Sequence, residues 1–246
     1  MKVTKLPWAG IKVEMDETHL VIDPLYHFPS KFGQSHEPLF PLSDFGGVEA
    51  VLITHHHPDH FDPEAIARFY GEDIPVYLPS ESLRHIHPSS LKQLHGVELG
   101  QSLKLGSVEI IAAFSMDGFG DPQVSWIVRG NGQQLIHCGD TLWHGHWWNI
   151  KNAYGPFDVA CLPVNAAIVE FRGDPPSGQP ISLSPEQAVS AAKVLGAKMV
   201  IPIHYKAIDY PPIYRQTPDL LERLQASARQ HGVGLIVLDS KESIVL

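Results

Sequence analysis

Only two cysteines, Cys138 and Cys161, occur in the 246 residues. Two thiols in a chain this long make no disulfide framework, which excludes a disulfide-dense secreted scaffold and fits a reducing compartment. The opening stretch MKVTKLPWAGIKVEMDE has no apolar run long enough for a signal peptide or a membrane span. A soluble, cytoplasmic protein with no membrane partner is therefore expected. Charged residues are sparse at 18%, and basic ones are the scarcer sign: 18 Lys and Arg against 27 Asp and Glu, a formal net charge of −9. That balance argues against a nucleic-acid partner, which calls for a basic face. Long linkers, low-complexity runs and short-period repeats are absent. So are a Gly-rich phosphate loop and a Ser-His-Asp arrangement. The length suits one α/β domain spanning 1–246.

Histidine is abundant instead. Its 15 copies are about twice or more the number expected from average usage. Clustering, more than number, gives them meaning. The apolar, β-branched run Gly47–Thr54 reads as a buried strand. It leads directly into Thr54-His55-His56-His57-Pro58-Asp59-His60. His55, His57, Asp59 and His60 are metal-competent side chains within six residues, and a loop at a strand end lets such groups converge. His56 is expected to face away, because neighbours in an extended segment alternate sides.

The rest of the chain alternates strand and helix signals. Asp62 and Pro63 read as the N-cap and first residue of a helix. Asn131-Gly132 between apolar runs predicts a hairpin, and a helix is expected from Ser80. Ser184 with Gln187 resembles a capping box. Strands are expected at 2–6, 10–14, 19–24, 75–79, 96–100, 107–114, 157–164 and 197–204, with a helix at 218–230 and strands near 234–238 and 242–246. Segments 25–48, 115–123 and 170–182 read as loops around a pocket, the last a candidate lid. Two halves with a similar strands-then-helix rhythm predict an α/β fold, two sheets face to face with helices outside.

His-x-His-x-Asp-His after an apolar strand resembles the signature of the metallo-β-lactamase superfamily. Asp23-Pro24 after HLVI, HCGDT at 137–141 and PIHY at 202–205 resemble, in the same order, that superfamily's other strand-end motifs. Within it, the chain resembles the short hydrolases related to ascorbate-phosphate lactonase. The resemblance implies a four-layer αββα sandwich of two mixed sheets flanked by helices. It implies two divalent metal ions, zinc or manganese with iron as a further option. His55 and His57 would hold the first, Asp59, His60 and His204 the second, and Asp140 would bridge them. Asp23 would orient a ligand His from behind. The family also expects a third His for the first metal after the strand SVEIIAAF. Here the chain reads Ser115-Met116-Asp117. Asp117 or Asp121 as an oxygen ligand, His144 or His146 swinging in, and a weak first site leaving one metal are the alternatives, with Asp117 favoured. A carboxylate in place of an imidazole moves preference towards manganese or iron(II).

The implied mechanism is attack of a metal-bound hydroxide on an ester, lactone or phosphodiester bond of a small molecule. Asp59 would accept or relay the proton. His144, in Thr141-Leu142-Trp143-His144, is a candidate acid or substrate contact, against an alternative role in core packing. An iron-dependent redox enzyme and a nuclease on the same fold are the alternatives. Visible absorbance would support the first, an added basic domain the second. Cys138 is expected to be buried, and Tyr205 to pack. His85, His87, His95 and His231 look peripheral. Tyr26, Phe28, Phe32, Phe119 and Trp143 suggest an aromatic rim. Substrate identity and homo-oligomer formation are left open.

Overall fold

The computed structural model describes residues 1–246. Sixteen strands and four α-helices follow one another along the chain. The first sheet holds β1 (Lys2–Lys5), β2 (Ile11–Met15), β3 (Thr18–Ile22), β4 (Ala50–Leu52), β5 (Val76–Pro79) and β6 (Leu94–Val97), with β16 (Ser243–Val245) on the β1 edge. The second contains β7 (Ser102–Leu105), β8 (Val108–Phe114), β9 (Val124–Gly130), β10 (Gln133–His137), β11 (Val159–Pro163), β13 (Met199–Ile203) and β15 (Gly234–Leu235), in the order β15-β13-β11-β10-β9-β8-β7. A short ladder pairs β12 (Ile168–Val169) with β14 (Tyr214–Arg215). Both large sheets are mixed, with parallel pairs β3–β4–β5–β6 and β10–β11–β13–β15.

The period-2 pattern of each strand explains the layering. Ile110, Ala112, Trp126, Val128, Cys161 and Ile201 point between the sheets, where they meet Val13, Leu20, Ile22 and Leu52. Their neighbours Ile111, Ala113, Ile127, Ala160 and Val200 point outward. There they pack under α2 (Trp147–Tyr154), α3 (Pro185–Leu195) and α4 (Leu220–His231). On the far side, Val21, Val51, Ile53 and Val76 pack under α1 (Pro63–Tyr70). The architecture is thus the αββα sandwich expected from the sequence.

Local chemistry sets the element ends. The Asp62 carboxylate accepts from Ala65 N at 3.0 Å and caps α1. The capping box at Ser184 and Gln187 starts α3. Asn131 and Gly132, both at positive φ, make the β9–β10 turn. Some expectations change. The strand read at 47–54 is regular only over Ala50–Leu52, because the Thr54 N–H turns away to the Asp23 carboxylate at 2.8 Å. The helix read from Ser80 is a short 3₁₀ segment, Ser80–His85. The strand read at 96–100 runs from Leu94 to Val97.

Candidate metal centre

The ligand candidates reach one edge of the sandwich because their strands run the same way within each sheet. Asp23 follows β3 and the His55–His60 loop follows β4, and these two strands are parallel. Asp140 and His204 follow β10 and β13, both parallel to β11. Asp117 follows β8, which shares β10's direction because both are antiparallel to β9.

Three groups form there, of which one, His56, His57 and Asp121, is only half-buried and shares His57, and the other two lie deeper. His55, His57, Asp117 and Asp140 make one of the deeper two, and Asp59, His60 and His204 the other; within each, the candidate ligand atoms lie within 4.8 Å of one another. In the first, His57 Nδ1 is 2.9 Å from His55 Nε2 and 3.8 Å from Asp117 Oδ1. In the second, Asp59 Oδ2 is 3.7 Å from both His60 Nε2 and His204 Nε2. Asp140 Oδ2 lies 3.6 Å from His55 Nε2 and 3.9 Å from His204 Nε2, facing both groups.

Hydrogen bonds at the outer ring nitrogens fix how the imidazoles point. His60 Nδ1 meets Asp23 Oδ2 at 2.8 Å, and Asp23 also accepts from Thr54 N and Oγ1. His55 Nδ1 lies 3.0 Å from Thr54 Oγ1. His204 Nδ1 lies 3.3 Å from Asn165 Oδ1, and the Asn165 amide donates to the Tyr214 hydroxyl at 2.8 Å. His57 Nε2 lies 2.9 Å from Asp121 Oδ2. Each outer nitrogen thus has a polar partner that can take its proton, which would leave the inner nitrogen's lone pair to a bound cation. Asp117 is oriented similarly: Oδ2 accepts from Phe119 N at 2.7 Å and Asp121 N at 3.0 Å, leaving Oδ1 turned inward.

The inward atoms are unmatched. His60 Nε2, His204 Nε2, Asp117 Oδ1 and Asp140 Oδ1 are buried without a hydrogen-bond partner. Each such atom costs on the order of 1–3 kcal/mol. Burial opposes ionisation of Asp59, yet His60 and His204 hold its carboxyl far below the ordinary range. Burial, followed by the nearby Asp117 carboxylate, pushes Asp140 up to about 7. Burial lowers His204 to about 4. His60 is raised to about 9, because Asp23 and Asp59 outweigh its burial. Divalent cations fit this set: they accept both imidazole and carboxylate donors and offset the buried negative charge. Loading them would displace the His60 proton, so binding is expected to strengthen as pH rises towards about 9.

The match to the β-lactamase superfamily domain model covers residues 18–205, from β3 to the residue after His204. The chain belongs to this family. It is 26% identical over 253 residues to a UPF0173 metal-dependent hydrolase of Methanopyrus kandleri, with 99% of each chain covered. Among solved structures it is similar to Igni18, a metallo hydrolase of Ignicoccus hospitalis: TM-score 0.73, 24% identity, 99% of this chain and 97% of that one. It is also similar to an isothiocyanate hydrolase from Delia radicum gut bacteria: TM-score 0.77, 17% identity, 100% and 99% covered. The coarse class that follows for this superfamily member is a metal-dependent hydrolase.

Glycine in the family-like HCGDT stretch has a local cause. Gly139 sits at φ +62°, and a Cβ there would come 3.0 Å from Thr54 Oγ1, the hydroxyl beside Asp23 and His55. Asp23 and His204 are also held at positive φ, 48° and 59°. Such conformations are uncommon for residues other than glycine and cluster at functional sites.

Above the two groups is a cavity of about 250 Å³, lined by His57, Asp59, Asp140 and His204 at its floor and by Phe32, Phe119, Phe171, Ile181 and Tyr214 on its walls. All three loops read as pocket loops contribute to it. Phe32 and Phe119 are in the wall as expected, whereas Tyr26, Phe28 and Trp143 are not. His144 is a correction. It is buried, stacks on Trp147 at 4.0 Å and meets the edge of Phe114, and it belongs to neither ligand group nor the cavity. His146 stacks on Phe114 instead of swinging inward. Asp121 faces the outer nitrogen of His57, so it orients this ring. His56 stacks on His85 and lies outside the two deeper groups, beside His57 and Asp121 in the half-buried one. Cys138 is in the core, and burial pushes its thiol up to about 12. Tyr205 packs in the same core. No helix is long and apolar enough to cross a membrane.

Sequence reading missed Trp8, Asn165, Phe171 and Tyr214. None is ionised near neutral pH or lies in a ligand-like spacing, so nothing in the string marks them.

Proposed function

We propose that the chain hydrolyses an ester, lactone or phosphodiester bond in a small, partly apolar molecule, with two divalent cations held by His55, His57, Asp117, Asp140, Asp59, His60 and His204. The observation that carries this reading is the position of Asp140 Oδ2 between two ligand groups at the floor of a cavity. When bound, the cations supply a nucleophile from water near neutral pH and polarise the oxygen on which charge develops. The protein's part is to hold and to exclude. Asp23, Thr54, Asn165 and Asp121 keep the four imidazoles aimed inward. Phe32, Phe119, Phe171 and Tyr214 orient an apolar substrate body and keep bulk water from the floor. Asp59, in the cavity floor, relays the proton released in the attack. A cavity of about 250 Å³ and a net charge of −9 favour a small molecule over a nucleic acid.

The ligand set carries three carboxylates, one of them Asp117 where the superfamily pattern calls for an imidazole. That oxygen content favours manganese or iron(II) over zinc. It also supports a second reading, an iron-dependent redox enzyme. Protein stripped with a chelator and reloaded with manganese(II), zinc(II) or iron(II) separates the readings on a panel of aryl esters, lactones and aryl phosphodiesters. The expected outcome is turnover of at least one class, absent after stripping and restored by metal. Fully loaded protein that turns over none of them, and consumes oxygen with iron, would favour the redox reading.

A further inference from the structure

The turn Leu6–Gly10 lies some fifty residues before the histidine motif, yet it closes over the second ligand group. Trp8 is fully buried. Its indole Nε1–H donates to Asp59 Oδ2 at 3.1 Å. Its ring sits 4.2 Å from the His204 ring. Its carbonyl accepts the His204 backbone N–H at 3.3 Å. One residue therefore touches two of the three candidate ligands of that group, through side chain and backbone together.

The turn is built to hold this position. Trp8 has φ +58°, a left-handed conformation that a bulky side chain adopts only where its surroundings impose it. Lys5 does the imposing. This buried lysine points its ammonium at the carbonyls of Leu6, Trp8 and Gly10, the Trp8 contact being 2.6 Å. Glu37 accepts the Trp8 N–H. Gly10 completes the turn, because a Cβ there would lie 2.7 Å from Leu6 Cβ. A buried cation, a carboxylate and a required glycine all serve one indole.

We propose that Trp8 is a positioning residue for the second metal ion: its N–H fixes the Asp59 carboxylate and its ring fixes the His204 imidazole. This inference rests on the reading of Asp59, His60 and His204 as metal ligands. A carboxylate oxygen has two lone-pair directions. The indole occupies one on Oδ2 and leaves the other towards His60 and His204. Without the N–H, Asp59 is free to rotate. Loss of such an outer partner typically weakens a metal site about 10–100-fold.

The test is zinc(II) titration of chelator-stripped protein against a competing chelator, for wild type, Trp8→Phe and Trp126→Phe. Trp126 is the matched control: it is fully buried and its Nε1 has no partner. Wild type and Trp126→Phe are expected to bind two zinc ions with equal affinities. Trp8→Phe is expected to keep one affinity and to weaken the other by about 10–100-fold. Two unchanged affinities in Trp8→Phe would overturn the role of Trp8 while leaving the metal site intact. Fewer than two ions in wild type would overturn the underlying reading as well. Should Trp8→Phe not fold, the indole N–H of Trp8 in wild type, assigned by through-bond NMR, decides the matter. A shift that follows occupancy of one zinc ion supports the proposal, and a signal unmoved by zinc overturns it.

Discussion

Replacing Asp140 by Asn is expected to lower kcat/KM by at least about a thousandfold while making the chelator-stripped protein more stable above neutral pH. The loss follows from removing the one carboxylate that faces both ligand groups. Cation stabilisation of developing charge is worth several kcal/mol, and about 4 kcal/mol corresponds to a thousandfold. The gain follows from linkage. Burial and Asp117 raise the Asp140 carboxyl from 3.8 to about 7 in the folded protein. A carboxyl raised in this way costs the fold nothing while it is protonated in both states. The cost appears as pH rises above 3.8 and is fully present above about 7. Asn cannot ionise and avoids it. Thermal unfolding in chelator should thus show Asp140→Asn melting above wild type at pH 8, with the difference shrinking towards pH 4. Equal melting temperatures at pH 8, or retained turnover, would contradict the placement of Asp140.

Replacing Asp117 by His is expected to turn metal preference towards zinc. The imidazole restores the donor that the superfamily pattern carries at this point. The ratio of zinc to manganese affinity should rise at least about tenfold, equivalent to 1.4 kcal/mol. Asp117 has a second duty, since its Oδ2 holds the amides of Phe119 and Asp121. His cannot make both bonds, so the loop carrying Phe119, part of the cavity wall, should loosen and KM rise. Asp117→Asn separates the two effects. It can keep the amide bonds through its side-chain oxygen but loses the charge, so metal affinity should fall with little change in KM for metal-saturated protein. Unchanged metal selectivity in Asp117→His would show that position 117 lies outside the coordination sphere.

Much of this cluster of side chains is legible in the sequence, for a physical reason. Ligands on a loop after a strand must be close in sequence to converge, and His55, His57, Asp59 and His60 are. The distant candidates Asp140 and His204 each follow an apolar strand, so the alternation that predicts the sheet also predicts which end gathers the ligand-competent side chains. Asp117 is visible too, as an acid standing where the superfamily resemblance implies an imidazole, and the fold brings it within 3.8 Å of His57.

What the string concealed is tertiary. His144 is four residues from Asp140, yet the chain turns as Leu142 bonds back to Met116, and the ring ends on Trp147. Adjacency in sequence does not carry across a turn. Trp8, Asn165 and Tyr214 act through contacts between segments far apart in the chain, and no periodicity encodes those. Asp121 and Asp117 are equally acidic and four residues apart; only the geometry of the loop shows that one faces the inner side of His57 and the other its outer nitrogen.

Anomalous X-ray diffraction from crystals of the manganese-loaded protein tests the central claim most directly. The account predicts two peaks per chain, one among His55, His57, Asp117 and Asp140 and one among Asp59, His60 and His204, with Asp140 between them. A single ion beside His56, His57 and Asp121, a cluster nearer the surface, or no ion at all in active protein, would contradict it.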